Sequence, residues 1–216
     1  MQRSTATTRA AACVLACCGL LVAAPAAHAL PLISELFYDA VGSDDGKSFV
    51  ELYGTPGASL DGLRLEVVNG DGGAIATALN LSGTFAASGL FVVADRTSAG
   101  TTTVTGADLL LDFDIQNGPD SLVLRTAAAV LDAVGFGVFD STQVFAGEGA
   151  PAVDVAAGSS LARRFADVDT GDNASDFLEL TVPTPGSAPF APVPEPGVAS
   201  LCALGLAGLA ARRRGR

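Results

Sequence analysis

The chain has 216 residues, of which 49% are apolar, 6% aromatic and 16% charged, so it is too apolar to be disordered and too lightly charged for a coiled coil. Between Leu30 and Phe190, six basic residues stand against 22 acidic ones, a net charge of −16. This charge excludes nucleic-acid binding driven by counterion release. The same stretch has no cysteine and no histidine, which excludes a Ser-His-Asp triad, a Cys-His pair, a zinc site with such ligands and an internal disulfide.

The first 29 residues have the pattern of a secretory signal peptide. Two arginines precede an apolar run over residues 10–24, and the small residues Ala27 and Ala29 occupy positions −3 and −1 of a cleavage site. We therefore predict export through the Sec pathway and cleavage by signal peptidase after Ala29. Two alternatives remain open, an uncleaved membrane anchor and a lipoprotein signal that is acylated on Cys17.

Residues 30–190 predict one all-β domain. Short runs alternate apolar and polar residues with a period of two, and Gly-, Asn- and Pro-rich turns separate them. The predicted strands cover residues 32–38, 48–53, 63–68, 90–94, 109–113, 121–126, 130–136, 160–165 and 177–182. No window of ordinary helix length in this stretch keeps a 3.6-residue period. We therefore expect an antiparallel β-sandwich of seven to nine strands.

Six segments of this stretch, in order, resemble lamin-tail domains, the Ig-like modules of nuclear lamins and of many secreted bacterial proteins. They are residues 32–39 with 47–53, residues 62–65, residues 117–124, residues 130–137, residues 160–164 with the Asp-rich run 167–176, and residues 183–186. The resemblance implies an Ig-like sandwich that is used for binding or adhesion and has no activity of its own. The aromatic residue often found before the last strand is Phe177 here, and the chain has no tryptophan.

The Asp-rich run is the best candidate for a ligand site. Its oxygen-bearing side chains are those of Asp167, Asp169, Asp172, Asn173 and Asp176. Carboxylate and amide oxygens suit calcium, although the glycine of the run sits one position too early for an EF-hand and the terminal glutamate is missing. The alternative is a loop rich in Asx turns, in which these side chains cap their own backbone. Both interpretations stay open, and calcium is the only candidate cofactor; none is required.

Other charged residues receive structural interpretations. We expect the aspartates of residues 39–45 to be solvated and Glu51 to bond the backbone or an arginine. Arg163 and Arg164 should point to opposite faces of a strand, because successive side chains alternate, and pairing within the chain is their expected use. Since strands can bring any two carboxylates together, an extracellular carboxylate-dependent hydrolase remains an alternative.

The C-terminal 26 residues, 191–216, form three parts in a fixed order. The triplet Pro194, Glu195 and Pro196 precedes an apolar segment over 198–211 and a basic tail over 212–216. This order resembles the PEP-CTERM sorting signal of Gram-negative bacteria, which implies recognition by an exosortase. The segment 198–211 is a marginal transmembrane helix, with the arginines on the cytoplasmic side. The alternative is a Pro-rich linker ahead of an ordinary anchor, which would make the protein a membrane-anchored binding module.

The sequence thus predicts an exported, non-enzymatic protein that is first anchored in the inner membrane. Exosortase would then deliver it to the cell surface or the exopolysaccharide matrix, where its role is structural or adhesive. Expected partners are exopolysaccharide or surface proteins. A binding role would need an exposed aromatic platform, and we expect the two tyrosines, Tyr38 and Tyr53, to be buried.

Overall fold

A computed structural model describes residues 30–192 of the chain. The predicted signal peptide with Ala27 and Ala29, the triplet at 194–196, the helix at 198–211 and the tail at 212–216 lie outside the described residues. Within residues 30–192, no helix is long and apolar enough to cross a membrane.

Ten strands and one short helix make up the described fold. The strands are β1 (Leu32–Phe37), β2 (Phe49–Tyr53), β3 (Arg64–Asn69), β4 (Ile75–Asn80), β5 (Leu90–Asp95), β6 (Leu109–Leu111), β7 (Asp120–Arg125), β8 (Val130–Phe136), β9 (Ser160–Arg163) and β10 (Phe177–Leu180). The helix α1 (Asn173–Asp176) directly precedes β10.

The strands form two sheets. One has six strands in the order β10-β9-β1-β2-β5-β6, and the other has four in the order β4-β3-β7-β8. All pairs are antiparallel except β5 with β6. The predicted all-β, antiparallel-rich sandwich is therefore confirmed.

One apolar core lies between the two sheets and follows the predicted alternation. In β3, Leu65 and Val67 are in the core, and their register partners Leu124 and Leu122 in the neighbouring β7 lie beside them on the same face. The six-stranded sheet contributes core residues such as Ile33, Val50, Leu52, Phe91 and Val93. Because a strand turns every second side chain to the same face, these runs bury one face and leave the other for polar groups.

The nine predicted strands are all present, and the sequence analysis missed β4. This strand is an edge strand that pairs only with β3, and most of its side chains are exposed. Its two alanines and terminal asparagine are weak strand formers, so β4 depends on its pairing with β3 rather than on its own composition.

The chain returns over the outer face of the six-stranded sheet after β10. We call residues 181–191 the strap. Its backbone bonds side chains of β1 and β2, and Phe190 packs on Tyr53, with ring centroids 5.4 Å apart. Tyr53 is the register partner of Leu32 at the start of β1. The first and the last described residues therefore lie at the same end of the sandwich.

Candidate functional site

A buried arginine lies beside the Asp-rich run. Arg163 ends β9, and its side chain is fully buried. Its Nη2 donates to both carboxylate oxygens of Asp132, on β8 of the other sheet, at 3.0 and 2.8 Å. Its Nε donates to Ile33 O on the neighbouring β1 at 3.0 Å. The ion pair thus ties β9 of one sheet to β8 of the other, and Ile33 N donates to the same carboxylate at 2.6 Å.

Two predicted ligands join this arginine. Asp176 accepts a hydrogen bond from Arg163 Nη1 at 2.9 Å and two more from Thr170, and Asp169 Oδ1 lies 3.5 Å from the same nitrogen. The guanidinium also lies over the ring of Phe177, at 4.6 Å from the centroid. Arg163 is therefore the cation that these aspartates surround.

The other three predicted ligands bond the backbone elsewhere. Asp167 accepts from Ala191 N in the strap at 2.8 Å. Asp172 accepts from Ala150 N and from Ser175 Oγ. Asn173 is fully buried. Its Oδ1 accepts hydrogen bonds from the amides of residues 135 and 148, and its Nδ2 donates to the carbonyl oxygen of residue 133. These bonds connect the loop before β9 to β8. Apart from the bond between Asp172 and Ser175, the contacts of these three residues reach distant parts of the chain, and they do not gather the five side chains at one point. The local turn that the Asx-turn interpretation predicts is formed by Asp169, whose Oδ1 accepts from Gly171 N at 3.0 Å.

Two members of the cluster around Arg163 were not predicted from the sequence, Asp132 and Glu148. Carboxylate oxygens of Asp132, Glu148 and Asp169 lie within 4.8 Å of one another. Asp132 could have been found as a charged residue at a core-facing position of β8, because such residues are rarely buried without a partner. Glu148 lies in an irregular loop, and nothing in its neighbourhood in the sequence marks it.

Glu148 is the least satisfied acid of this cluster. Its Oε2 is buried and has no hydrogen-bond partner within the described residues. Burial raises the pKa of Glu148 to about 7, and the neighbouring charges of Asp132 and Asp169 add to the rise. Four carboxylates, those of Asp132, Glu148, Asp169 and Asp176, thus share one guanidinium. The excess of negative charge can be relieved by a proton on Glu148 or by a cation beside it.

A second pair of buried acids lies on the outer face of the six-stranded sheet, under the strap. Glu35 and Glu51 are register partners on β1 and β2. Glu35 accepts hydrogen bonds from Ser160 Oγ and from both Thr184 N and Oγ1, and Glu51 accepts from Ser34 Oγ at 2.9 Å and Gly186 N at 2.6 Å. Both acids therefore accept hydrogen bonds from the strap. Glu51 bonds the backbone and not an arginine, and bonding the backbone is one of the two uses that the sequence predicts for it.

A register shift in β1 makes this arrangement possible. The pairing with β2 is irregular between Ile33 and Glu35, so the strand holds one extra residue there. Ser34 and Glu35 consequently both bond groups on the outer face, while Ile33 and Leu36 lie in the core.

Burial is the main reason that the pKa of Glu51 rises to about 7, and the two hydrogen bonds only partly oppose this rise.

The aspartates of residues 39–45 lie beside a separate acidic depression. Asp44 accepts a hydrogen bond from Ala40 N, so it is not merely solvated. With Asp45, Asp95, Asp112 and Asp114 it borders a space of about 370 Å³. Asp95 is buried there and accepts from the amides of residues 46 and 113, which gives it a structural role.

Both tyrosines are covered. Tyr38 is buried in the core against Phe136, with ring centroids 4.4 Å apart, and burial raises its pKa. Tyr53 is half-buried under Phe190. Neither tyrosine is available as an exposed platform, as the sequence analysis expected.

The described chain is thus a two-sheet β-sandwich with two buried acidic clusters, one across the sheets and one beneath the strap. Comparisons with known protein families, with characterised proteins and with solved structures found no match.

Proposed function

We propose that the protein is an exported, non-enzymatic domain of the lamin-tail type that an exosortase sorts to the cell surface or the exopolysaccharide matrix. The observation that carries this proposal is the position of the two chain ends. Leu32 pairs with Tyr53, and Phe190 packs on the same tyrosine, so both ends leave one end of the sandwich. This arrangement is compatible with processing of both flanking segments on the same side of the domain.

The strap is bonded to the domain as far as residue 191. Ala191 N donates to Asp167 Oδ1 at 2.8 Å, and Pro194 follows three positions later in the sequence. This short spacing in the sequence supports recognition of the tail together with the exported domain.

The use of the buried acids supports a non-enzymatic role. Asp132 and Asp176 neutralise Arg163, and the oxygens of Glu35 and Glu51 accept bonds from hydroxyls and amides. A hydrolase of the competing kind needs two carboxylates that face a substrate cleft, one of them free to donate a proton. The buried acids instead hold the two sheets and the strap together.

The test of sorting replaces Pro194, Glu195 and Pro196 by alanine. We expect the variant to stay in the inner membrane while the wild type reaches the surface fraction, with the same melting temperature for both. A matched control replaces Pro183 and Pro185 of the strap, which are outside the triplet. Normal surface delivery of the triple variant would contradict exosortase sorting and leave a plain membrane-anchored binding module.

A calcium site is the second candidate function, and Glu148 favours it. Its unpartnered Oε2 lies in a cluster with Asp132 and Asp169, so a calcium ion there would relieve the excess negative charge. Against this, Arg163 already donates to both oxygens of Asp132 and would repel a second cation. We therefore propose that the cluster is structural and requires no metal; the calcium measurement is given in the Discussion.

A further inference from the structure

A groove of about 500 Å³ crosses the outer face of the six-stranded sheet between the strap and the loop that precedes β6. Phe37 and Phe49 form its floor, with ring centroids 5.9 Å apart. Loop residues 103–105 line one wall and strap residues 183–187 the other. Phe49 is buried beneath Phe37 and Val104, so Phe37 is the half-exposed ring that a ligand would meet.

The groove lies far from the chain ends. Phe37 and Phe49 are register partners at one end of the β1–β2 pair, whereas Leu32 and Tyr53 are partners at the other. Phe49 and Tyr53 are four positions apart on β2, about 13 Å at the usual rise of a strand. On a protein held to the membrane by its C-terminal tail, this end of the sandwich faces outward.

The charge of the groove is opposite to that of the domain. Its lining contains no acidic residue, although residues 30–190 carry 22 acids, and its only ionisable group is Lys47. Lys47 forms no salt bridge within the described residues, and its Nζ lies 3.4 Å from a single acceptor, Val41 O. Lys47 would attract an anionic group in this groove, while Glu35 and Glu51 lie behind the strap wall and accept hydrogen bonds from it.

We infer that this groove binds an acidic saccharide, with a carboxylate of the sugar on Lys47 and an apolar sugar face on Phe37. The exposed hydroxyl-bearing residues Thr105 and Ser187 stand on opposite walls and can bond sugar hydroxyls. A groove with one aromatic ring, hydroxyls on both walls and one cation suits such a ligand better than an apolar peptide. The inference rests on the proposed function, since it names the matrix component that the exported domain would contact.

Two other occupants fit the charge less well. The tail over 193–216 carries four arginines and one glutamate, so it would repel Lys47, and it leaves from the opposite end of the domain. A second copy would bring another domain of net charge −16 against the first. Both are outcomes that the experiment separates.

The test measures binding of trigalacturonate, an acidic trisaccharide, to the full-length protein in detergent by titration calorimetry. Neutral galactotriose is the control ligand. Lys47→Met removes the charge and keeps the apolar stem. The control variant Arg96→Met removes an exposed cation that lies outside the groove.

We expect trigalacturonate to bind, and Lys47→Met to weaken it about tenfold, as the loss of one hydrogen bond to a charged group does. Arg96→Met should leave the affinity unchanged, and galactotriose should bind more weakly than the acidic sugar. Raising the salt from about 50 to about 500 mM should also weaken binding of the acidic sugar, because an exposed ion pair is screened.

Equal affinity of Lys47→Met and wild type, or no binding of trigalacturonate, would overturn the inference. So would a dimer in light scattering that Lys47→Met dissociates, because the groove would then hold a second copy. A tighter complex after deletion of residues 193–216 would show that the tail competes for the groove. Surface delivery is measured on the same variants. If Lys47→Met reaches the surface normally but does not bind the sugar, the defect lies in the groove alone. If the wild type does not reach the surface, the proposed function is wrong, whatever the groove binds.

Discussion

Glu35 and Glu51 are paired directly across β1 and β2, and both are buried, yet neither forms a salt bridge within the described residues. Five hydroxyl and amide groups of Ser34, Ser160, Thr184 and Gly186 take the place of a cation. Three of these five, Thr184 N, Thr184 Oγ1 and Gly186 N, belong to the strap. The strap is therefore held by acids whose burial is costly when both are charged.

The first prediction concerns Glu51 and pH. Its pKa in the fold is about 7, above the ordinary 4.5, so the folded protein keeps a proton that the unfolded chain releases. The contribution of Glu51 is therefore most favourable below pH 4.5 and is lost as the pH rises from 4.5 to 7, by at most about 3 kcal/mol.

Glu51→Gln should remove this loss. Glutamine can still accept from Gly186 N and can donate to Ser34 Oγ, so the variant imitates the protonated acid. We expect denaturant unfolding to show equal stability at pH 4.5 and a more stable variant at pH 8. Glu179→Gln, an exposed glutamate of β10, is the control and should not change the pH dependence. A variant less stable than wild type at pH 8 would contradict a raised pKa of Glu51.

The second prediction concerns the ion pair between the sheets. Arg163→Met leaves Asp132 and Asp176 buried without their cation, and removal of one partner of a buried pair typically costs about 3–5 kcal/mol. Arg164 is the matched control because it is the next residue and is exposed, and within the described residues its side chain bonds only Ser175 O.

Arg164→Met should therefore cost no more than about 1 kcal/mol, as for a typical hydrogen bond. Urea unfolding of the two variants provides the comparison. Similar losses for both would mean that Arg163 does not hold the sheets together as its contacts indicate.

The third prediction concerns calcium. If the cluster around Arg163 is structural, melting temperatures in millimolar calcium and in chelator should coincide. A bound ion would instead stabilise the fold by about 1.4 kcal/mol when its concentration is tenfold above the dissociation constant. Stabilisation that Glu148→Gln removes would identify a calcium site at Glu148. Stabilisation that only Asp172→Ala removes would place the ion in the Asp-rich run, away from Arg163.

The fourth prediction concerns export. Intact-mass measurement of material from the cell envelope should find Leu30 as the new N-terminus, because Ala27 and Ala29 form the expected cleavage site. Retention of Met1 would favour the uncleaved anchor. A mass that fits an acylated Cys17 as the first residue would favour the lipoprotein alternative.

The strands and their inward faces could be predicted because they depend on local pattern. In β3 and β7 the alternation of leucine and valine with polar residues indicates which side chains enter the core, and the structure has them there. The same rule placed Arg163 and Arg164 on opposite faces. β4 was missed because its composition is neutral and its existence depends on pairing with β3.

The candidate site shows where local pattern stops being informative. From the sequence, Asp167 to Asp176 form one acidic run, and their spacing alone is compatible with an ion or with turns. Only the tertiary structure introduced Arg163 as their cation and brought in Asp132 from 31 residues away along the chain and Glu148 from an irregular loop. Charges act through space and their strength depends on burial, neither of which is encoded in spacing along the chain.

The sequence by itself determined the all-β class, nine of the ten strand positions, the acidic surface and the absence of cysteine and histidine chemistry between residues 30 and 190. These follow from composition and from the two-residue period of a strand. The tertiary structure decided that Glu35 meets Glu51, that the strap lies over both, and that Lys47 borders a groove without acids. The contacts of Glu35 with Glu51 and with the strap join residues from 16 to 149 positions apart, and they exist only because the sheets and the strap pack in one particular way.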